Sequence, residues 1–191
     1  MVPPPQADRL RQIRLLSGDP QGGTAQPHIT VIPPTAVDRA GLGALLDGIG
    51  RRVSQFQPFQ VRLSGAGTFR PVSPVVYAKL AEGFDTCQAL EAQVRLAVDG
   101  LEDRFPYCPH VTVAQDVPES GLDGAERAID GLDETFTITA VDVCWLETES
   151  VWRPLRRFWL ARSEHTNTAE ASGGSWTSGL PARDQPNEEP S

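Results

Sequence analysis

Two short phrases hold the residues with chemical reach. Pro27-His28-Ile29-Thr30-Val31, within QPHITVIPP, is matched by Pro109-His110-Val111-Thr112-Val113, within YCPHVTVAQ. Each β-branched run reads as an extended strand, yet each opens with a histidine directly after a proline. Side chains alternate across a strand, so His28 and Thr30 share one face and Ile29 and Val31 the other; His110 and Thr112 repeat the pattern. A free histidine titrates near pH 6.5, so two of them can divide labour at neutral pH, a neutral ring accepting a proton and a protonated ring donating one. In-line displacement at phosphorus needs both roles on opposite sides, with donors such as threonine hydroxyls on the non-bridging oxygens. A cyclic phosphodiester suits this set well, because its leaving oxygen stays tethered and needs only a proton. The chemistry calls for no metal and no other cofactor.

A single histidine at a strand start is more often structural, and a threonine in a strand needs no function. Placement favours a shared site. Of the three histidines, His165 falls in a polar carboxy-terminal tail, so the folded part has His28 and His110, and both lie in the repeat. If a pseudo-twofold axis relates two similar halves, the two His-x-Thr pairs face each other across a cleft.

The intervening sequence supports such halves. Leu10, Ile13 and Leu16 have helical spacing over 7–16, and Leu42, Leu45, Leu46 and Ile49 over 38–50, behind Asp38 as a potential cap. PFQVRL and SPVVYAKL read as a strand pair whose turn is SGAGTFRP. Asp85 with Gln88 resembles a capping box opening a helix that carries Leu90, Val94 and Val98 on one face. After the second His-x-Thr strand come a short helix near 122–131, a strand through TFTITAVDVCWLE and a last one through RRFWLA. The order is helix, strand, helix, two strands, given twice.

Composition narrows the classes. A chain of 191 residues with 39% hydrophobic and 22% charged residues fits a globular protein, and no apolar run approaches the roughly 20 residues that span a bilayer. The start, MVPPPQADRLRQIRLL, lacks a secretory signal pattern, so a cytoplasmic location is expected. The three cysteines, Cys87, Cys108 and Cys144, have no C-x-x-C spacing, and Cys108-x-His110 finds no further ligand to complete a metal site. A net charge of −8 argues against a broad phosphate-neutralising surface, so a nucleic-acid partner must be held locally, at an end or a single phosphate. Residues 1–161 are expected to form the domain. Residues 162–191, rich in Ser, Gly, Pro and acid, are expected to be a disordered acidic tail.

The paired H-[IV]-T-V strands, with GTFRPVSPVVY, FPYCPHVTVA and VWRPLRRFWL, resemble the two-histidine (2H) phosphoesterase superfamily, and within it the bacterial 2'-5' RNA ligase / RNA 2',3'-cyclic phosphodiesterase branch. The likeness covers roughly residues 8 to 161. It implies a duplicated α+β fold of two lobes, with two antiparallel sheets lining a central groove and helices outside. It further implies His28 and His110 as catalytic residues, Thr30 and Thr112 as phosphate-binding residues, and hydrolysis of a ribose 2',3'-cyclic phosphate to a 2'-phosphate. By the same likeness His110 is the base and His28 the acid. Attack by a 5'-hydroxyl instead of water would give ATP-independent 2'-5' ligation; a G-x-x-x-x-G-K-[ST] loop is absent, and the only lysine, Lys79, lies in a predicted strand. Family members begin with a strand ahead of the first helix, and MVPPP leaves no room for one. Either the natural start lies upstream, or the first sheet lacks that strand and has an open edge.

Around this site, Phe69 and Tyr107 are candidates to stack a terminal base and Arg70 to contact phosphate, with ordinary packing and turn roles as the alternative. The expected partners are RNA termini or small cyclic nucleotides, and the expected state is a monomer. The rival reading is a noncatalytic binder of cyclic-phosphate or 2'-phosphate ends, although binding alone would not require both histidines.

Overall fold

The computed structural model describes residues 1–98, 100, 101, 105–148 and 151–161. The expected tail, 162–191, lies outside the described residues. Helix α1 (Gln6–Leu16) starts directly after the prolines and buries Ala7, Leu10 and Ile13. Helix α2 (Leu42–Val53) buries Leu46, Ile49 and Val53. It begins later than its hydrophobic spacing predicts, because the Asp38 carboxylate accepts from the Ala40 N–H at 3.1 Å, closing a turn, and Gly41 stands at the cap position.

Strands β1 (Phe59–Thr68) and β2 (Val75–Glu82) form the expected antiparallel pair, but the turn is 69–74. The predicted turn glycines lie inside β1. Gly65, at φ 72°, sits where the register slips between Leu63 and Ala66, so glycine serves a bulge here rather than a hairpin end. Helix α3 (Phe84–Arg95) buries Leu90 and Val94. The expected Asp85 cap does not form: Gly83, at φ 83°, caps the helix, and a Cβ there would stand 2.7 Å from the Gln60 carbonyl oxygen.

Strand β3 (His110–Gln115) and helix α4 (Glu119–Ala128) follow. The run read as one strand over TFTITAVDVCWLE is two, β4 (Asp133–Ile138) and β5 (Ala140–Thr148), and the last strand, β6 (Val151–Trp159), is longer than RRFWLA. The break falls at Thr139, where the chain leaves one sheet for another. Four strands are ordered β3-β2-β1-β4, and β5 with β6 forms a second sheet, all neighbours being antiparallel. An unbroken β-branched pattern cannot show that its two ends belong to different sheets.

Two cores follow. The inner face of the four-stranded sheet, with Val61, Leu63, Val76, Ala78, Val111 and Val113, packs under Leu10 and Ile13 of α1 and Leu122 and Ala125 of α4. Ile49 and Val53 of α2 meet Leu90 and Val94 of α3 in the second, where Val31, Ile32, Val141 and Val143 join them. The first half's hairpin therefore supports the second half's histidine strand, while the second half's hairpin packs beside the chain that leaves the first.

Candidate active site

The first histidine phrase does not form a full strand. It touches β3 through one antiparallel bridge, Ile29 to Val111, the central residues of the two phrases. That pairing fixes the rest: across an antiparallel bridge His28 lies beside Thr112 and Thr30 beside His110, with the two imidazoles at opposite corners. Diagonal neighbours of this kind stand about 7–8 Å apart, with their Cβ atoms somewhat closer, which leaves room between the rings for a phosphoryl group. Val111 is fully buried and Ile29 packs against the same core, so the four polar side chains share the other face.

The prolines explain how the rings are aimed. His28 Nδ1 lies 2.6 Å from the Gln26 carbonyl oxygen, and His110 Nδ1 lies 2.7 Å from the Cys108 carbonyl oxygen. A carbonyl can only accept, so each Nδ1 carries the proton and each neutral ring presents Nε2 as its acceptor. In both phrases the intervening proline, Pro27 or Pro109, is buried, and it holds the residue before it in extended geometry with that carbonyl available. Burial lowers the pKa of both histidines, against an opposing effect of these hydrogen bonds. The charge of His28 adds a smaller lowering at His110.

The surrounding candidates separate. Phe69 meets the His110 ring edge-on, with centroids 5.0 Å apart. Tyr107 donates its hydroxyl to the Thr30 carbonyl oxygen at 3.0 Å, so it ties the segment before β3 to the first phrase and bears on the site through the backbone. The Arg70 guanidinium is engaged elsewhere: it donates to Glu119, Asp123 and Glu126 of α4 at 2.6–2.8 Å and to the Thr68 hydroxyl at 3.2 Å. Those carboxylates hold it to the helix.

Two neighbours of His110 escaped sequence reading. Tyr77 lies 5.0 Å from the His110 ring and 4.4 Å from Phe69, centroid to centroid, completing an aromatic wall. Gly67 pairs with Tyr77, and a Cβ at that glycine would run into the tyrosine ring. Lys79 stands directly opposite His110 in the ladder. The alternation of VVYAKLA places Tyr77 and Lys79 on one face, but only the β2–β3 register shows that this face is the histidines'.

Comparison with known proteins bears on the fold and the family. A Staphylococcus epidermidis protein carrying a provisional phosphoesterase name is 26% identical over 137 residues, covering 70% of this chain and 80% of the relative. The crystal structure of Escherichia coli LigT in apo form matches with a TM-score of 0.62 at 18% identity, over 84% of this chain and 94% of LigT. TT0787 of Thermus thermophilus matches with 0.59 at 21% identity, over 86% and 96%. These structural likenesses establish the mixed α/β fold with curled antiparallel sheets, and the relatives' names point to phosphoesterase chemistry. The profile of the 2'-5' RNA ligase superfamily matches residues 2–149. The chain therefore belongs to the 2'-5' RNA ligase superfamily, the two-histidine phosphoesterases.

Proposed function

We propose that the protein hydrolyses 2',3'-cyclic phosphate ends of RNA or nucleotides to 2'-phosphates, with His28 and His110 as acid and base. The observation that supports the reading is the Ile29–Val111 bridge, which joins the central residues of the two His-x-Thr phrases. The neutral His110 ring takes a proton from water at Nε2 while the water oxygen bonds to phosphorus. The bond from phosphorus to the 3'-oxygen breaks on the opposite side, and protonated His28 gives that oxygen its proton. Thr30 and Thr112 hydroxyls donate to the non-bridging oxygens, where negative charge gathers during transfer. With a 5'-hydroxyl in place of water, the same exchange forms a 2'-5' linkage without ATP. Escherichia coli LigT has been crystallised with 3'-AMP, with ATP and with phosphate, ligands of the chemical kind that such a face would hold.

The test is a nucleoside 2',3'-cyclic phosphate incubated with the protein in EDTA, the product being identified by phosphorus NMR. A 2'-phosphate is expected, and His28→Ala and His110→Ala should each lower kcat by about 10²–10⁴-fold. A 3'-phosphate product overturns the proposed bond cleavage. Tight binding with no turnover by the parent protein replaces the enzyme with a noncatalytic end-binder.

A further inference from the structure

The sheet face that bears His110 carries another charged group, which the reaction above does not use. In β2, Val76 and Ala78 are fully buried and Leu80 nearly so, which turns Tyr77 and Lys79 to the opposite face. Lys79 pairs with His110, and directly opposed residues of antiparallel strands project together with Cβ atoms about 4.5–5.5 Å apart. The Lys79 side chain is exposed and, among the described residues, has neither a hydrogen bond nor an ion pair. Nearby cations are committed: Arg62 of β1 makes a two-pronged bridge to Asp133, and Arg70 of the β1–β2 turn is held by α4.

The direction of the side chain matters. Its ε-carbon lies 3.9 Å from the position a Cβ would take at Gly65, so the stem crosses toward β1 over a floor with no side chain. The Ile29–Val111 bridge is on the other flank of β3. Strands lie about 4.8 Å apart, and the stem of Lys79 heads toward β1, away from the flank of β3 on which that bridge lies. The Phe69 and Tyr77 rings, in contact with His110, occupy the neighbouring stretch of the same face.

We propose that Lys79 binds a second phosphate of the substrate, so that the site favours oligoribonucleotide ends, or nucleotides with an additional phosphate, over a lone nucleoside 2',3'-cyclic phosphate. The inference rests on the proposed reaction site and adds a phosphate subsite to it. The lysine ammonium is a compact charge suited to a phosphate ester, and nucleosides carry aromatic bases that the Phe69–Tyr77 wall beside His110 can support.

The test compares kcat/KM for uridine 2',3'-cyclic phosphate, its 5'-phosphorylated form, and a diuridine ending in the cyclic phosphate. The parent protein should favour at least one two-phosphate compound by about five- to tenfold, the scale of one partly screened charge-assisted contact. Lys79→Met, which keeps the apolar stem, should bring that ratio close to one, and Lys79→Arg should restore most of it. Preference for the diuridine alone assigns the internucleotide phosphate; preference for both assigns a phosphate on the 5' side generally. A parent without preference, or a ratio unmoved in Lys79→Met, overturns the subsite. Calorimetric binding of the matching 2'-phosphates separates the two ideas. A Lys79-dependent preference in binding without turnover of any cyclic phosphate sustains the subsite and removes the proposed reaction; turnover without such a preference does the reverse.

Discussion

Removing the Asp19 carboxylate should loosen both histidine phrases at once, because one buried ion pair ties together the segments that lead into and out of them. The Arg14 and Asp19 side chains are 5% and 1% exposed. One oxygen of Asp19 accepts from Arg14 Nε at 2.8 Å and from the Gln115 N–H at 2.9 Å, and the other accepts from the Gln21 N–H at 2.8 Å. A single side chain thus joins the last turn of α1, the turn that leads to His28, and the end of the strand that begins at His110. Asp19→Ala strands a buried guanidinium and leaves two main-chain donors without their acceptor. Breaking a buried pair from one side costs about 3–5 kcal/mol. For a chain of this size, each kcal/mol moves Tm by about 2–4 °C, so a cost of about 4 kcal/mol lowers Tm by about 8–16 °C. Arg14→Met leaves the carboxylate with both N–H donors and should cost less, about 1–3 kcal/mol. Urea unfolding followed by circular dichroism measures both. A loss below about 1 kcal/mol for Asp19→Ala, the range of an exposed ion pair, or a larger loss for Arg14→Met, refutes the reasoning.

Because burial holds both histidines below their ordinary pKa of 6.5, the folded protein binds fewer protons than the unfolded chain in that window. The stability tied to the neutral rings is present above pH 6.5 and is lost as pH falls through the lowered values. An acid and a base acting together give a bell-shaped pH profile of kcat/KM, which should therefore peak on the acid side of 6.5; ring-proton NMR midpoints at or above 6.5 for both histidines would count against it. Gly67→Val forces a side chain into the Tyr77 ring and should destabilise by about 1–3 kcal/mol; adding Tyr77→Ala should relieve most of that cost, and a strictly additive double variant would show that the two do not collide. Tyr107→Phe deletes the hydrogen bond to the Thr30 carbonyl, with an expected loss of about 0.5–1.5 kcal/mol in urea unfolding; no measurable change would mean that this tie between the phrases is not made in solution.

The amphipathic helices were largely legible because their evidence is local: Leu10 with Ile13 and Leu46 with Ile49 recur at helical spacing, and that spacing buries them. Helix starts were less so. Asp38 and Asp85 have the chemistry of caps, but the first closes its own turn and the second follows a glycine whose left-handed conformation lets β1 pass close by. A cap is decided by the path of the preceding chain, which carries no periodic signal. The glycines in SGAGTFRP have two other roles: Gly65 takes positive φ at a bulge, which asks for the same residue as a turn, and Gly67 makes room for the Tyr77 ring.

By itself, the sequence determined which residues are candidates for the site: two histidines, each after a proline and two positions before a threonine, in a chain of the 2'-5' RNA ligase superfamily. It also determined the alternation that places each histidine and threonine on one face of its own strand. Only the tertiary structure decided that the two faces are the same, that the chain changes sheets at Thr139, that Arg70 turns to α4, and that Tyr77 and Lys79 stand beside His110. The physical reason is range. Alternation and helical spacing are set by backbone geometry over a few residues, whereas register and sheet membership are set by which distant surfaces bury one another.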